Sequence, residues 1–283
     1  MDILAPQYKL GRIVKPHDPR TLWLHKYRTA LTPTLPPIPI NPDGSFVAAD
    51  WTPAIIADGG YTMLGNGPDP TNPPGVPDGC GNCACVGILN IFRTIIKNCG
   101  GTFEPSAAQA ILLYQQIQAY CDYPVFDPAQ TDADGNNPTD TGLELEDVLC
   151  YAKNVGVFGY KILAFAAVTP SNDKDWWYGV QMYGGLYVAA KLPNQLFAGD
   201  PTRPWVGNMG PANPANGHCF VSEQFGSIVS WSKIIQTDPI FRGGYMDKAF
   251  IIITDQWMEA NGKSPSGYDI QTLIADASAL SAA

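Results

Sequence analysis

The stretch Gly79–Cys85, which reads GCGNCAC, decides the fold, because it places three cysteines directly ahead of an apolar segment without proline. A second stretch, Gly217–Val221 (GHCFV), carries His218, 135 residues after Cys83. A cysteine thiol needs a nearby imidazole to become a thiolate nucleophile at neutral pH. Because the chain contains only three histidines, the two stretches predict that Cys83 and His218 pair across a cleft.

The composition excludes several classes of protein. Apolar residues make up 45% of the 283 residues, enough for a substantial core, and the net charge of −9 argues against a nucleic-acid partner. No window approaches the ~18 consecutive apolar residues of a membrane span. Residues 1–12 lack a basic region followed by an apolar run, so we predict no signal peptide.

The seven cysteines are an odd number, so a framework made only of disulfides would leave one thiol over. We favour buried, reduced thiols, with a bridge from Cys80 to a later cysteine as the main alternative. The spacing of Cys80 and Cys83 also fits half of a zinc site, but no second pair of ligands with suitable spacing follows. We therefore predict no metal and no cofactor.

Hydrophobic periodicity changes along the chain from a helical period to a strand period. Helices are predicted at 84–98, 106–120, 144–154, 173–183 and 269–280, and strands at 160–168, 185–192, 218–222, 227–231 and 248–254. Residues 193–216 are expected to form a long irregular loop. Helices followed by a mostly antiparallel sheet indicate the α+β class, with a cleft between two lobes.

The first fifty residues differ in composition from the rest. The run Leu31–Pro39 must be extended, because proline lacks an amide hydrogen and restricts the residue before it. We therefore predict an extended, Pro-rich N-terminal arm over residues 1–50 and a single domain over residues 51–283. In that domain a helical lobe covers about 80–156 and a sheet lobe covers about 157–283.

Four segments of the chain resemble the papain-like cysteine peptidase superfamily. They are CGNCA at the start of a buried helix, GLELEDVLCYAK in another helix, YGGLYVAAKLP in a strand, and GHCFVS followed by IVSWS. The resemblance implies a papain-like, two-lobed fold in which the nucleophile begins the long central helix and the histidine lies on a strand of the sheet lobe. It therefore implies that Cys83 is the nucleophile, His218 its base, and Trp231 a shield over the histidine.

A second resemblance covers nearly the whole length of the chain. The chain looks similar to a group of uncharacterised bacterial and tailed-phage proteins with the same fold. The shared segments are Lys9–Arg12 (KLGR), the pair Gly65-Asn66, and Gly262–Asp269 (GKSPSGYD). This likeness implies a fold more than an activity.

The chain departs from the papain pattern at the group that would hold the oxyanion. Papains have a glutamine six residues before the cysteine, and Pro77 stands there, which has no side-chain donor. Asn66 is one candidate donor, if the Pro/Gly-rich loop 66–79 returns it to the site, and Asn82 is a rival. We expect the loop 66–79 to lie beside the cleft, because it runs directly into the segment of Cys83.

A second departure concerns the group that orients the histidine. Papains have an asparagine two residues before the tryptophan, and Val229 stands there, which cannot accept a hydrogen bond from an imidazole. Ser230, Glu223, Asp238 or a backbone carbonyl could replace it. The residues therefore predict a dyad rather than a triad.

Two functions follow from these observations. The first is a cysteine hydrolase, acting on a peptide or amide substrate through Cys83 and His218, with weak activity. The alternative is a catalytically silent papain-like fold that serves as a structural or assembly protein of a phage particle, with other phage proteins as partners. The expected location is accordingly the cytoplasm or the phage particle.

Overall fold

The structure is a computed structural model, which describes residues 10–27, 42, 51, 80–130, 132–133, 136–231, 233–261 and 269–282. Asn66, the loop 66–79 and the run Leu31–Pro39 lie outside the described residues. What the sequence predicts for them therefore stays a prediction.

In the described part of the chain three α-helices come first, and strands and further helices follow. The α-helices are α1 (Cys83–Asn98), α2 (Ala107–Tyr120), α3 (Leu145–Asn154), α4 (Asp173–Tyr183), α5 (Pro239–Tyr245), α6 (Asp255–Asn261) and α7 (Ile270–Ala282). The strands are β1 (Ile162–Val168), β2 (Leu186–Pro193), β3 (Ala212–Gln224), β4 (Ser227–Ser230), β5 (Lys233–Gln236) and β6 (Met246–Thr254). Short 3-10 helices cover Leu24–Tyr27 and Asn194–Ala198. Among the helices described, none combines the length and the apolar character that crossing a membrane requires.

The six strands form one antiparallel sheet in the order β1-β6-β2-β3-β4-β5. Strand β3 pairs with β2 so that His218 lies opposite Ala190, and it pairs with β4 so that Val221 lies opposite Val229. Three long helices precede the sheet in the chain. The predicted α+β class with an antiparallel sheet is therefore confirmed.

Helix α1 is the central helix. All its residues from Cys83 to Ile96 are buried, the polar Asn90, Arg93 and Thr94 among them. The hydroxyl of Tyr187 on β2 donates a 2.8 Å hydrogen bond to the carbonyl oxygen of Ala84. Gly87, one turn later, lies directly against the ring of Tyr187. These contacts fix the start of α1 over β2 and β3.

Two hydrophobic clusters lie on opposite faces of the sheet, because alternate residues of β2 and β3 belong to different clusters. The first cluster joins α1, α2 and α3 to the sheet. The second contains Trp176 and Trp177 of α4, which are 1% and 2% exposed. These two tryptophans therefore pack helix α4 onto the sheet.

The sequence prediction was wrong within residues 193–216. Strand β3 already begins at Ala212, and Ala212 pairs with Pro193 at the end of β2. The first residues of β3, Ala212–Gly217, read ANPANG and show no apolar alternation, so their strand conformation comes from pairing with β2 rather than from their own pattern. The short elements β5, α5 and α6 were also not predicted.

Residues 10–27 of the N-terminal segment pack into the body. The Arg12 amide donates to the Gly217 carbonyl (3.1 Å), and the Leu143 amide donates to the Gly11 carbonyl (2.9 Å). The Arg12 guanidinium bonds both carboxylate oxygens of Asp247, at 2.5 and 3.1 Å. Leu24 is only 1% exposed. This part of the arm thus joins the helices to the strand that carries His218.

Candidate active site

Cys83 is the first residue of α1, where the helix leaves several backbone N–H groups without an intrahelical partner. The first intrahelical bond runs from the Val86 amide to the Asn82 carbonyl. Partial positive charge at a helix N-terminus stabilises a thiolate. The local sequence explains the position, because Gly81 packs against Gly11 and ends the preceding loop, and the apolar run starts at once after Asn82.

The thiol of Cys83 is 1% exposed and lies among hydrogen-bond donors. Burial raises the pKa of this thiol, but the neighbouring side chains of Cys219 and His218, together with the charge of His218, lower it well below its ordinary value. Cys219 contributes both its side chain and its backbone N–H. Burial and the neighbouring Cys83 raise the pKa of Cys219 well above its ordinary value. The structure thus favours the thiolate at Cys83.

His218 on β3 is 1% exposed, and contacts constrain one face of its ring and one ring nitrogen. Its ring stacks on Trp231 with centroids 4.5 Å apart and an angle of 16° between the planes. Its Nε2 lies 2.7 Å from the Ser230 hydroxyl oxygen. Its Nδ1 is buried and finds no hydrogen-bond partner among the described residues. Ser230 thus occupies Nε2, and His218 is one of the groups that lower the pKa of Cys83.

Three side chains were open as the group that orients His218, and the structure distinguishes them. Ser230 contacts the imidazole. Glu223 instead accepts a 2.5 Å hydrogen bond from the Thr94 hydroxyl, and Asp238 caps α5 by accepting from the Phe241 amide at 2.7 Å. Val229 is buried in the core. The hydroxyl of Ser230, on the strand next to β3, is therefore the one of these groups that contacts the imidazole.

Trp231 reaches His218 through an uncommon backbone conformation. Its φ of +48° lies in the left-handed region, which costs a residue other than glycine about 1–3 kcal/mol. The residue follows β4 in the turn to β5, and Ser230 pairs with Lys233 across that turn. Trp205 and Phe220 complete the aromatic surroundings of the histidine. The packing of these rings holds the strained turn in place and keeps the imidazole away from solvent.

Of the two candidate oxyanion donors, the structure describes Asn82 but not Asn66. Asn82 directly precedes α1, is 5% exposed, and makes no capping hydrogen bond with its side chain. Its Oδ1 is buried, and no residue in the described part of the chain bonds it. Asn66 lies outside the described residues. The N–H groups in the first turn of α1, that of Cys83 included, lack an intrahelical partner and are further candidate donors next to the sulfur.

The other cysteines differ from Cys83 in their electrostatics. Burial and the charge of Asp140 raise the pKa of Cys80 to about 12, and burial raises the pKa of Cys85 well above its ordinary value. All seven cysteines are free thiols in the structure. Within the described residues, no group of three or more His, Cys, Asp or Glu side chains could hold a metal ion.

Cys219 is a site residue that the sequence did not predict. It directly follows His218, and alternate residues of a strand face opposite sides of the sheet, so the pattern did not place both side chains beside Cys83. The one available signal is the segment GHCF, in which a further thiol neighbours the candidate base.

No protein-family model and no curated protein sequence matches the chain. Among solved structures, the fold is similar to Xylellain, a cysteine protease from Xylella fastidiosa, with a TM-score of 0.58 and 10% identity over 88% of this chain and 97% of that one. A weaker match is the cysteine protease CMS1MS2 of Carica candamarcensis, with a TM-score of 0.43 and 13% identity over 73% of this chain and 97% of that one. Another is the ragweed pollen cysteine protease Amb a 11, with a TM-score of 0.41 and 15% identity over 77% of this chain and 65% of that one. The chain therefore has a papain-like fold.

Proposed function

We propose that this protein is a cysteine hydrolase that cleaves a peptide or amide bond with Cys83 as nucleophile and His218 as acid and base. One observation carries the proposal. Cys83, whose pKa is lowered by neighbouring groups that include His218, begins the buried helix α1, and Ser230 contacts Nε2 of that imidazole. These residues are of the types that covalent catalysis requires as nucleophile, base and orienting group.

The reaction would proceed in two stages. The Cys83 thiolate attacks the carbonyl carbon, a C–S bond forms, and the carbonyl electron pair moves to oxygen. The C–N bond then breaks while His218 gives its proton to the leaving nitrogen, and a thioester remains. In the second stage water attacks the thioester, His218 takes the proton from water, and Cys83 leaves as the thiolate.

We expect this activity to be weak. Removing one oxyanion donor typically costs roughly 10²–10³ in rate, and Pro77 stands where papains have a donor. The groups that lower the pKa of Cys83 should also reduce the rate, because the nucleophilicity of a thiolate falls as its pKa falls. Asn82 and the N–H groups at the start of α1 would supply the remaining donors.

The test is the hydrolysis of a fluorogenic peptide library by the wild-type protein and by Cys83→Ala. The matched control is Cys85→Ala, because Cys85 is equally buried in α1 but its raised pKa makes it inert. We expect turnover that disappears in Cys83→Ala and persists in Cys85→Ala. Background signals from all three proteins would overturn the proposal and favour the catalytically silent alternative, a component of a phage particle.

A further inference from the structure

The carboxylate of Asp140 bonds the turn that leads into the candidate nucleophile. Its Oδ1 accepts a 2.7 Å hydrogen bond from the backbone N–H of Gly81, which stands two residues before Cys83. The same oxygen accepts a 3.0 Å hydrogen bond from the hydroxyl of Tyr114 on α2. That hydroxyl in turn accepts from the Gly142 N–H at 2.7 Å. A single carboxylate oxygen thus ties α2 and the loop before α3 to the segment that begins α1.

The residues on both sides of Asp140 are held on helix α2. The side-chain amide of Gln118, a fully buried residue, donates to the Thr139 carbonyl oxygen and to the Thr141 hydroxyl, at 3.1 Å each. Tyr114, one turn earlier on α2, is fully buried as well. The carboxylate therefore has a fixed position, and hydrogen bonds to a charged acceptor are roughly twice as strong as those between neutral groups.

The turn at Gly81 has little room to move. A β-carbon added there would lie 2.8 Å from the Oδ1 of Asp140 and 3.0 Å from the Cα of Gly11. Asn82 follows, and its side chain makes no capping hydrogen bond to α1. The orientation of the peptide groups between Gly81 and Cys83 therefore depends on the anchor at Gly81.

We propose that Asp140 is a positioning residue for the oxyanion site of the hydrolase proposed above, on which this inference rests. Its carboxylate acts through the N–H of Gly81, whose place sets the direction of Asn82 and of the Cys83 N–H. A donor stabilises the oxyanion only within about 2.7–3.1 Å of the position that the oxygen takes in the transition state. A displacement of about 1 Å can cost roughly 100-fold in rate. Asp140 therefore supports kcat and leaves KM unchanged.

The experiment measures kcat and KM of the full-length protein and its variants on the fluorogenic peptide that the wild type cleaves fastest. Asp140→Ala removes the anchor, so kcat should fall roughly 10–100-fold while KM changes less than about twofold. Asp140→Asn keeps an oxygen acceptor for the Gly81 N–H and should retain at least about a third of the wild-type kcat. Tyr114→Phe is the matched control, because it removes the hydroxyl that bonds Asp140 and Gly142 but leaves the bond from Gly81 to Asp140. It should lower the stability in urea and cost less than about threefold in kcat.

Labelling of Cys83 with iodoacetamide separates positioning from general damage. Alkylation forms no oxyanion, so Asp140→Ala should be labelled at Cys83 within about threefold of the wild-type rate. If Asp140→Ala does not fold, Asp140→Ser, whose side chain is shorter, takes its place. Labelling that slows in parallel with kcat, or an equal loss of kcat in Tyr114→Phe, would overturn the positioning role. Wild-type turnover that the loss of the carboxylate leaves unchanged overturns this inference alone, whereas no turnover by the wild type overturns the proposed hydrolase and this inference together.

Discussion

At the scale of single residues, the cysteines show that position rather than chemistry sets the state of a thiol. Cys80, Cys83 and Cys219 are all buried, and burial raises the pKa of each. Only Cys83 gains enough hydrogen bonds and positive charge from its neighbours to reverse that effect. A reagent that modifies thiolates should therefore react with Cys83 faster than with Cys80 or Cys219.

Alkylation with iodoacetamide at different pH tests this difference. Because the pKa of Cys83 is lowered, its thiolate persists as the pH falls, and its labelling rate should change less than about threefold between pH 8 and pH 6. The exposed Cys150 is the internal control, since burial and Asp147 raise its pKa. Its rate should fall roughly 100-fold over the same two units. A parallel decline of both rates would contradict the lowered pKa.

Ser230→Ala tests the orienting hydrogen bond. We expect turnover to fall about tenfold through kcat, since a net hydrogen bond contributes about 1–1.5 kcal/mol. Labelling of Cys83 at pH 6 should slow as well, because a less constrained imidazole stabilises the thiolate less. Ser227→Ala is the control on the same strand, as its hydroxyl bonds Gln224 rather than a histidine. Equal effects of the two substitutions would leave Ser230 without a special role.

At the scale of elements, helix α1 and the hairpin β4–β5 bring the site together. The helix presents Cys83 at its first turn and is held by close packing on β2. The hairpin contributes Ser230 and the strained Trp231. Neither element holds the pair alone, since His218 comes from β3 between them.

The long elements could be predicted from the sequence, and the reasons are local. Helix α2 carries its own signal, a capping box in which Ser106 and Gln109 bond reciprocally, and α4 ends at Gly184 in the left-handed conformation. The first half of β3 could not be predicted, because its residues lack a strand pattern of their own and are extended only through pairing with β2. Ser230 could not be selected over Glu223 and Asp238, because all three are polar and only the fold shows which one meets the imidazole.

Gly87→Ala tests the packing of α1. A β-carbon at this position would lie 2.8 Å from Tyr187 Cε2, and that ring is fixed by its hydroxyl bond to Ala84. We expect a loss of about 1–3 kcal/mol in the free energy of unfolding, together with slower labelling of Cys83 as the helix start shifts. The measurement is unfolding in urea.

Gly244→Ala is the matched control, because no atom lies within 4 Å of an added β-carbon there. Alanine is favoured over glycine in helices by roughly 0.5–1 kcal/mol, so this variant should be neutral or slightly more stable. A neutral result for Gly87→Ala would show that α1 is packed less closely than we describe.

At the scale of the whole molecule, ion pairs attach the N-terminal segment and the helices to the sheet. Lys248 on β6 is 1% exposed and bonds Glu144 and Glu146 at 2.6 Å each, while His17 of the arm contacts Glu146. Burial raises the pKa of Glu144, and Lys248 opposes that effect. Removing the lysine would therefore leave buried carboxylates without their cation.

Lys248→Met should accordingly lower the free energy of unfolding by roughly 3–5 kcal/mol at pH 7, the usual cost of an unpaired buried charge. The loss should shrink toward pH 5. Without the lysine the folded-state pKa of Glu144 rises further above its unfolded value, so the stability it provides is present at low pH and is lost as the pH rises through that pKa.

Lys191→Met is the control, because Lys191 pairs with Asp247 at 3.2 Å but is 32% exposed, and such pairs contribute below about 1 kcal/mol. Urea unfolding of both variants at pH 5 and pH 7 measures the effect, and a deficit for Lys248→Met that does not depend on pH would mean that hydrophobic repacking, not the unpaired carboxylates, sets its stability.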